Sequence, residues 1–476
     1  MKYLNRREFL QLSGYTTASA LLTGCSREKD PSTRRTKSFG PARHVIVISL
    51  DTTRPDHFGC YGNPWMRTPR FDALADESIL FADYMTVVPT TLASHTALFT
   101  GKYPHSHGTP RNGFVVNEHN IMLPEILKKA GFHTAGFLGA YPLFSHFRFN
   151  QGFDYYDENF GSDKGGKVKN VRTAQSVTDA VIAYLEKTDS VHNLFLFIHY
   201  WDPHLPYTPP PPYHKMYQGN GAVIPWLALR HGKEVSFRGR DIDRPLAYAG
   251  EISYMDEHFG RLVDYLKKCG ILDESVVLVT SDHGENFKEH YRNWDHGHTV
   301  YQSTMQAVGM IRLPHAEKAG TKVKQLFSSI DNLPTLLNYL GLDIPDDVEG
   351  EAIDLTGSDI SFPPRVRFGQ GTKPWKEVET DPRWYNIRKA RCIRDDTIKY
   401  IQTPYKKTEE LYDLSVDPHE RHNLLKKPPP QIVTRAAALR QKLEEWANAA
   451  HPLPSEFMRN KHSNAIERLK SLGYLQ

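Results

Sequence analysis

The stretch His44-Val45-Ile46-Val47-Ile48-Ser49-Leu50-Asp51 decides how the rest of the chain is read. Val45 to Ile48 are all β-branched, Leu50 extends the apolar run, and a carboxylate follows at once. An unbroken apolar run of this length is what a strand buried on both faces of a parallel sheet requires. Three further runs read the same way: His133–Leu138, Leu194–Tyr200 and Val276–Ser281. Helical patterns separate them, over Leu123–Ala130, Val171–Lys187, Ala249–Cys269 (stopped by Gly270) and Phe327–Leu340 (stopped by Gly341). The alternation predicts an α/β fold, a mostly parallel central sheet with helices on both faces. A Pro-, Gly- and acid-rich stretch at 345–375 marks a boundary. Beyond it Tyr385–Arg394 and Ile398–Gln402 read as short antiparallel strands and Val433–Ala450 as a helix. The expectation is a catalytic domain over 43–360 and a small C-terminal antiparallel-sheet subdomain over 361–476.

In open α/β sheets, ligands bind outside the carboxyl ends of the strands. Asp51 ends the first run, Asp282-His283 ends another, and Leu194–Tyr200 leads into Asp202-Pro203-His204. Two carboxylates and an imidazole suit one divalent ion, Mn, Mg, Ca or Zn, better than a soft metal. Each residue alone has a plainer reading, since an aspartate after a strand is more often a cap or turn residue. The segment Thr90 to Gly101 reads as a short helix closed by Gly101. A hydroxyl at its start, Thr91, sits in the positive field of the helix N-terminus. His95 lies four residues on, on the same face, where it could donate to a bound oxyanion or to the Thr91 oxygen. The plainer reading makes Thr91 a cap and His95 a surface residue.

The N-terminus speaks to compartment. Asn5-Arg6-Arg7-Glu8-Phe9-Leu10 reads as a twin-arginine export signal. Leu12–Leu22 is too short and polar to span a bilayer, and Leu22-Thr23-Gly24-Cys25 resembles a lipobox. Residues 1–24 are therefore expected to be a signal peptide, Cys25 the lipidation site, and 25–42 a flexible tether to the bacterial cell envelope. Removing residues 1–24 takes away three basic residues and one acidic one, which lowers the net charge from +4 to +2. Such a balance argues against nucleic acid as a partner. Cys60, Cys269 and Cys392 match no zinc spacing.

Taken in order, six segments resemble the sulfatase branch of the alkaline-phosphatase superfamily. They are His44–Tyr61, Thr91–Gly108, His199–Pro209, Thr280–Glu285, the Asp295-His296-Gly297-His298 motif with Tyr301, and Glu410–Leu424. The resemblance implies a metal on Asp51, Asp282, His283 and Thr91, and substrate contacts from Asp202, His204 and His298. It further implies catalytic roles for Thr91, His95, His204, His296 and His298, with a histidine of the 296–298 pair protonating the leaving oxygen. The chain departs from the family where Thr91, Ala93 and His95 replace the usual Cys or Ser, Pro and Arg. Threonine cannot yield the formylglycine aldehyde, so formylglycine is not expected and Thr91 itself becomes the nucleophile. Thr52 stands where many sulfatases place a second ligating Asp, and Gly139-Ala140-Tyr141-Pro142 lacks their substrate lysine. The expected substrate is a sulfated or phosphorylated small molecule or glycan. Direct hydrolysis of a threonine ester tilts the choice toward phosphate or phosphonate esters. Two alternatives stay open: a non-catalytic ester- or glycan-binding lipoprotein, and a phospho-group transferase.

Overall fold

A computed structural model describes residues 42–472, apart from 163–164, 166–168, 189–192, 220–228, 231–232, 235–239, 291–293, 374–387, 452 and 459–462. The signal segment, Cys25 and nearly all of the tether lie outside the described residues. The main sheet has eight strands. They are β1 (His44–Leu50), β2 (Ile79–Phe81), β3 (His133–Phe137), β4 (Tyr155–Asp157), β5 (Leu194–Tyr200), β6 (Ser275–Ser281), β7 (Gly309–Arg312) and β8 (Thr321–Val323). Their spatial order is β8-β2-β7-β6-β1-β5-β3-β4. β1 lies at the centre, parallel to β6 on one side and β5 on the other. Only β7 breaks the direction, running antiparallel to both β6 and β2.

Register explains why the site falls where it does. Leu50 pairs with Ser281 and with Tyr200, so Asp51, Asp282 and Trp201 leave the sheet side by side at one edge. Alternate β1 residues serve opposite cores, as the period of two demands. Val45 and Val47 join Phe195, Phe197 and Leu278, while Ile46, Ile48 and Leu50 join Leu196, Ile198 and Val279. Seven helices are needed for the argument: α1 (Pro69–Asp76), α2 (Thr91–Thr100), α3 (Leu123–Lys129), α4 (Ala174–Lys187), α5 (Arg240–Lys268), α6 (Asn332–Leu340) and α7 (Pro430–Asn448). The first core takes α2, α3 and α6, the second α1, α4 and α5, which puts helices on both faces. No described helix is long and apolar enough to cross a membrane.

The C-terminal sheet is antiparallel and four-stranded: β9 (Val366–Gln370), β10 (Arg391–Asp395), β11 (Ile398–Thr403) and β12 (Thr408–Asp413). Its face against α7 presents Ile393, Tyr400 and Leu411, which pack with Ala436, Leu439 and Leu443 of the helix. β9 falls inside the stretch read from sequence as a boundary. Only Val366 and Phe368 mark it as a strand, too weak a pattern to see among prolines and glycines. The strand expected over Tyr385–Arg394 pairs over Arg391–Asp395, and 385–387 lie outside the described residues. The helix expected over Phe327–Leu340 begins only at Asn332. Phe327 and Ser328 pair instead with Tyr84 and Met85, and a Ser328–Asp331 capping box starts a new turn.

Candidate active site

Asp51 is fully buried, its backbone N–H donates to the Tyr200 carbonyl at 2.9 Å, and neither carboxylate oxygen has a hydrogen-bond partner. Asp282 Oδ1 accepts from the Thr52 N–H at 3.0 Å and the His283 N–H at 2.7 Å, while Oδ2 accepts none. His283 Nδ1 donates to the Gly284 carbonyl at 2.9 Å, which leaves the lone pair on Nε2, 3.4 Å from Asp282 Oδ2. Ligand atoms of Asp51, Asp282 and His283 all lie within 4.8 Å of one another. Burial drives both carboxyls well above the usual range, and the charge of Asp51 adds to the effect on Asp282. Burial, with His296 beside it, drives His283 well below its ordinary value. Two buried carboxylates with orphaned oxygens are costly without a cation. A histidine that donates its other nitrogen to a carbonyl is set up as a ligand. The donor set thus fits a divalent metal ion. Thr52 contributes its backbone N–H rather than a carboxylate, from a left-handed conformation (φ 50°).

Thr91 opens α2, whose ten residues are all buried and whose end is closed by Gly101 at φ 66°. Two side chains fix this helix start beside the metal motif. Ser94 Oγ donates to the Asp282 carbonyl at 2.7 Å, and His95 Nδ1 donates to the Thr91 carbonyl at 2.7 Å. The structure thus places His95, expected to be catalytic, in a bracing position. Its Nε2 meets Ser49 Oγ at 2.8 Å, so one ring nitrogen is bonded within α2 and the other ties α2 to β1. Burial and the neighbouring His199 keep the ring neutral. His95, His199 and Asp282 also bring ligand-type atoms within 4.8 Å, but with His95 committed the group lacks a third donor. His199 instead accepts the Gly139 N–H on Nδ1 at 3.4 Å and turns Nε2 toward Asp51 Oδ2, also at 3.4 Å.

Asp202, expected to contact substrate, lies at the start of α4. Its Oδ2 accepts the Ala174 N–H at 2.7 Å, capping that helix, and burial pushes its carboxyl up to about 6. His204 stacks on Trp201 with centroids 3.8 Å apart and donates from Nδ1 to the Leu205 carbonyl at 2.9 Å. Burial, with His296 nearby, holds it well below its ordinary value, so the ring is neutral. His296 is the opposite case. Burial alone would lower it, yet Glu285, 3.4 Å from Nδ1, and Asp295 raise it. Its ring lies 4.4 Å from that of His283 and 5.3 Å from that of His204. His298 is partly exposed, 3.3 Å from Asp295 Oδ2.

Two participants were not read from sequence. Glu285, fully buried and bonded by the Tyr207 hydroxyl at 3.1 Å, sets the charge of His296. Lys373, at the exit of β9, meets both Asp295 oxygens at 2.5 and 2.6 Å. Glu285 was visible in the Asp-His-Gly-Glu motif. Lys373 had no signal, because its approach depends on how the second sheet docks.

The family model described as Sulfatase matches residues 43–342, and one described as N-sulphoglucosamine sulphohydrolase, C-terminal, matches 289–449. The chain is 24% identical to an N-acetylglucosamine-6-O-sulfatase of Bacteroides thetaiotaomicron, covering 90% of this chain and 89% of that protein. It is 25% identical to an arylsulfatase of Clostridium perfringens, covering 80% and 90%. A solved structure in complex with its substrate D-glucosamine-2-N,6-O-disulfate shares the fold at TM-score 0.68 and 21% identity, over 86% of this chain and 98% of that one. The phosphonate monoester hydrolase of Agrobacterium radiobacter does so at 0.65 and 20%, over 85% and 96%.

Proposed function

The chain belongs to the sulfatase family of the alkaline-phosphatase superfamily, and from that membership and the site geometry we propose that it hydrolyses a sulfate ester of an amino sugar through the unmodified Thr91. The observation that carries the chemistry is the set of orphaned atoms on Asp51, Asp282 and His283, beside a helix start whose first side chain is a hydroxyl. The substrate class rests on the relatives, which include an N-acetylglucosamine-6-O-sulfatase and a protein that takes a sulfated glucosamine.

Asp51, Asp282 and His283 would hold one divalent ion, which supplies the Lewis acidity that lets the Thr91 hydroxyl ionise. The rest falls to the protein. The N-terminal field of α2 stabilises the alkoxide. Thr91 Oγ1 bonds to sulfur as the ester S–O bond breaks, and protonated His296 gives its proton to the leaving oxygen. Water then cleaves the threonine ester, returning a proton to His296. Neutral His204 accepts a hydrogen bond from a substrate O–H or N–H.

A second reading, a phosphate or phosphonate monoester, is favoured by threonine at the nucleophile and by the phosphonate monoester hydrolase among the structural neighbours. Turnover of glucosamine 6-sulfate, aryl sulfate and the phenyl monoester of methylphosphonic acid by metal-loaded protein tests both. Sulfate turnover that vanishes in Thr91→Ala supports the first reading, and phosphonate turnover alone selects the second. Activity unchanged in Thr91→Ala removes the nucleophile, and no turnover with no bound metal favours a binding protein. Export and lipid anchoring through Cys25 rest on the N-terminal sequence pattern.

A further inference from the structure

The C-terminal sheet reaches into the site through one short loop. Residues 370–373 leave β9 and lie against the glycine-flanked histidine motif. The N–H groups of Thr372 and Lys373 both donate to the Gly297 carbonyl, at 2.7 and 2.9 Å. Thr372 Oγ1 is 2.7 Å from Thr90 Oγ1, next to the nucleophile. Beneath the loop, the buried Lys389 ammonium holds the Thr372 carbonyl. Gly297 lets the two segments touch: it sits at φ 89°, and a Cβ there would meet Thr372 Oγ1 at 2.7 Å. The loop is thus braced on both halves of the site, between the Thr91 helix start and His296.

The cation it carries is buried: Lys373 is 5% exposed. Its ammonium lies on Asp295, whose Oδ1 also takes the His296 N–H at 2.8 Å and whose Oδ2 is 3.3 Å from His298. The positive field of Lys373 is felt at both His204 and His296. Among the described residues near the strand ends, Arg54 pairs with Asp56 and Glu289 and donates to the Glu285 carbonyl, and Arg172 pairs with Asp157. The site must receive an anion that two buried metal-ligand carboxylates repel, yet no lysine follows β3.

We propose that Lys373 is a substrate-binding residue, whose ammonium takes an anionic oxygen of the bound sulfate or phosphate group. It rests on the ester-hydrolase reading, and it makes the C-terminal sheet part of the active site. An ammonium has three donors, so it can turn toward the substrate without leaving its contact with Asp295.

The test is a binding measurement that needs no turnover. In full-length Thr91→Ala protein loaded with metal, calorimetry gives Kd for inorganic sulfate and for inorganic phosphate. Adding Lys373→Met is expected to raise both about ten- to a hundredfold, the span of one charge-assisted hydrogen bond. Adding Lys373→Arg is expected to recover part of the loss. Adding Asp295→Asn cuts the same ion pair but leaves the ammonium, and is expected to leave Kd unchanged or lower it. Equal weakening by Lys373→Met and Asp295→Asn would mean the pair is only a brace, and would overturn the proposal. So would an unchanged Kd in Lys373→Met, or no anion binding by the Thr91→Ala parent. If Lys373→Met does not fold, Asp295→Asn decides alone: weaker binding overturns the proposal and equal or tighter binding supports it. Loss of sulfate turnover with anion binding intact would fault the proposed reaction and spare Lys373.

Discussion

Replacing Asp202 by Asn separates the capping role found in the structure from the substrate-binding role expected from sequence. Asp202 is 6% exposed and accepts the Ala174 N–H at 2.7 Å, a bond that an Asn side-chain carbonyl keeps. Burial raises its carboxyl from 3.8 to about 6. Below about pH 4 both folded and unfolded chains carry it protonated and it costs nothing. Between about 4 and 6 the unfolded chain ionises while the folded one does not, so stability falls as pH rises. Above 6 the cost is constant, and the span from 3.8 to about 6 corresponds to about 3 kcal/mol. Asp202→Asn removes that cost, and it also relieves Glu251, whose carboxyl burial raises and the charge of Asp202 raises further. Urea unfolding of metal-loaded protein is expected to show the variant more stable by about 1–3 kcal/mol at pH 7.5 and equal at pH 4. KM for the sulfate ester is expected to stay within about twofold, since the side chain touches α4 and not the substrate. A variant less stable at pH 7.5, or a KM raised tenfold with stability intact, would show that the charge itself is used.

Three further outcomes follow from the same geometry. With metal chelated, burial holds Asp51 and Asp282 protonated, so thermal stability should fall as pH rises above the ordinary carboxylate range, and added divalent ion should cancel that slope; a chelated protein with a flat profile would deny that these carboxyls are the ligands. Gly297→Ala should destabilise by about 1–3 kcal/mol and lower kcat, because φ 89° is strained for alanine and the new methyl strikes Thr372; wild-type values by urea unfolding and turnover would refute the close approach. Cys25→Ser should move the expressed protein from the membrane fraction to the soluble fraction, and retention in the membrane would refute the lipid anchor.

What the sequence disclosed and what it hid divide along a physical line. The clustering of Asp51, Asp282 and His283 was legible because Asp51 and Asp282 each directly follow a strand whose apolar run is unmistakable, and parallel register alone sets such residues side by side. Their convergence needed no knowledge of side-chain direction. The bracing bonds of His95 and Asp202 were hidden for the complementary reason. Residue type and helical phase are visible in a sequence, but the competing partner is not. Ser49 lies two residues before Asp51 on β1 and captures His95, while an orphan N–H at the start of α4 captures Asp202. A buried polar group must find some partner, and the nearest unsatisfied backbone or hydroxyl group takes precedence over a substrate that is present only part of the time. Lys373 shows the converse. It follows a strand with scant apolar pattern in a separate sheet, and its contacts with Asp295 arise only once that sheet docks, with Gly297 permitting the approach. The strand ends therefore bring the candidate metal ligands together from local sequence, whereas Lys373 reaches Asp295 only by tertiary contact.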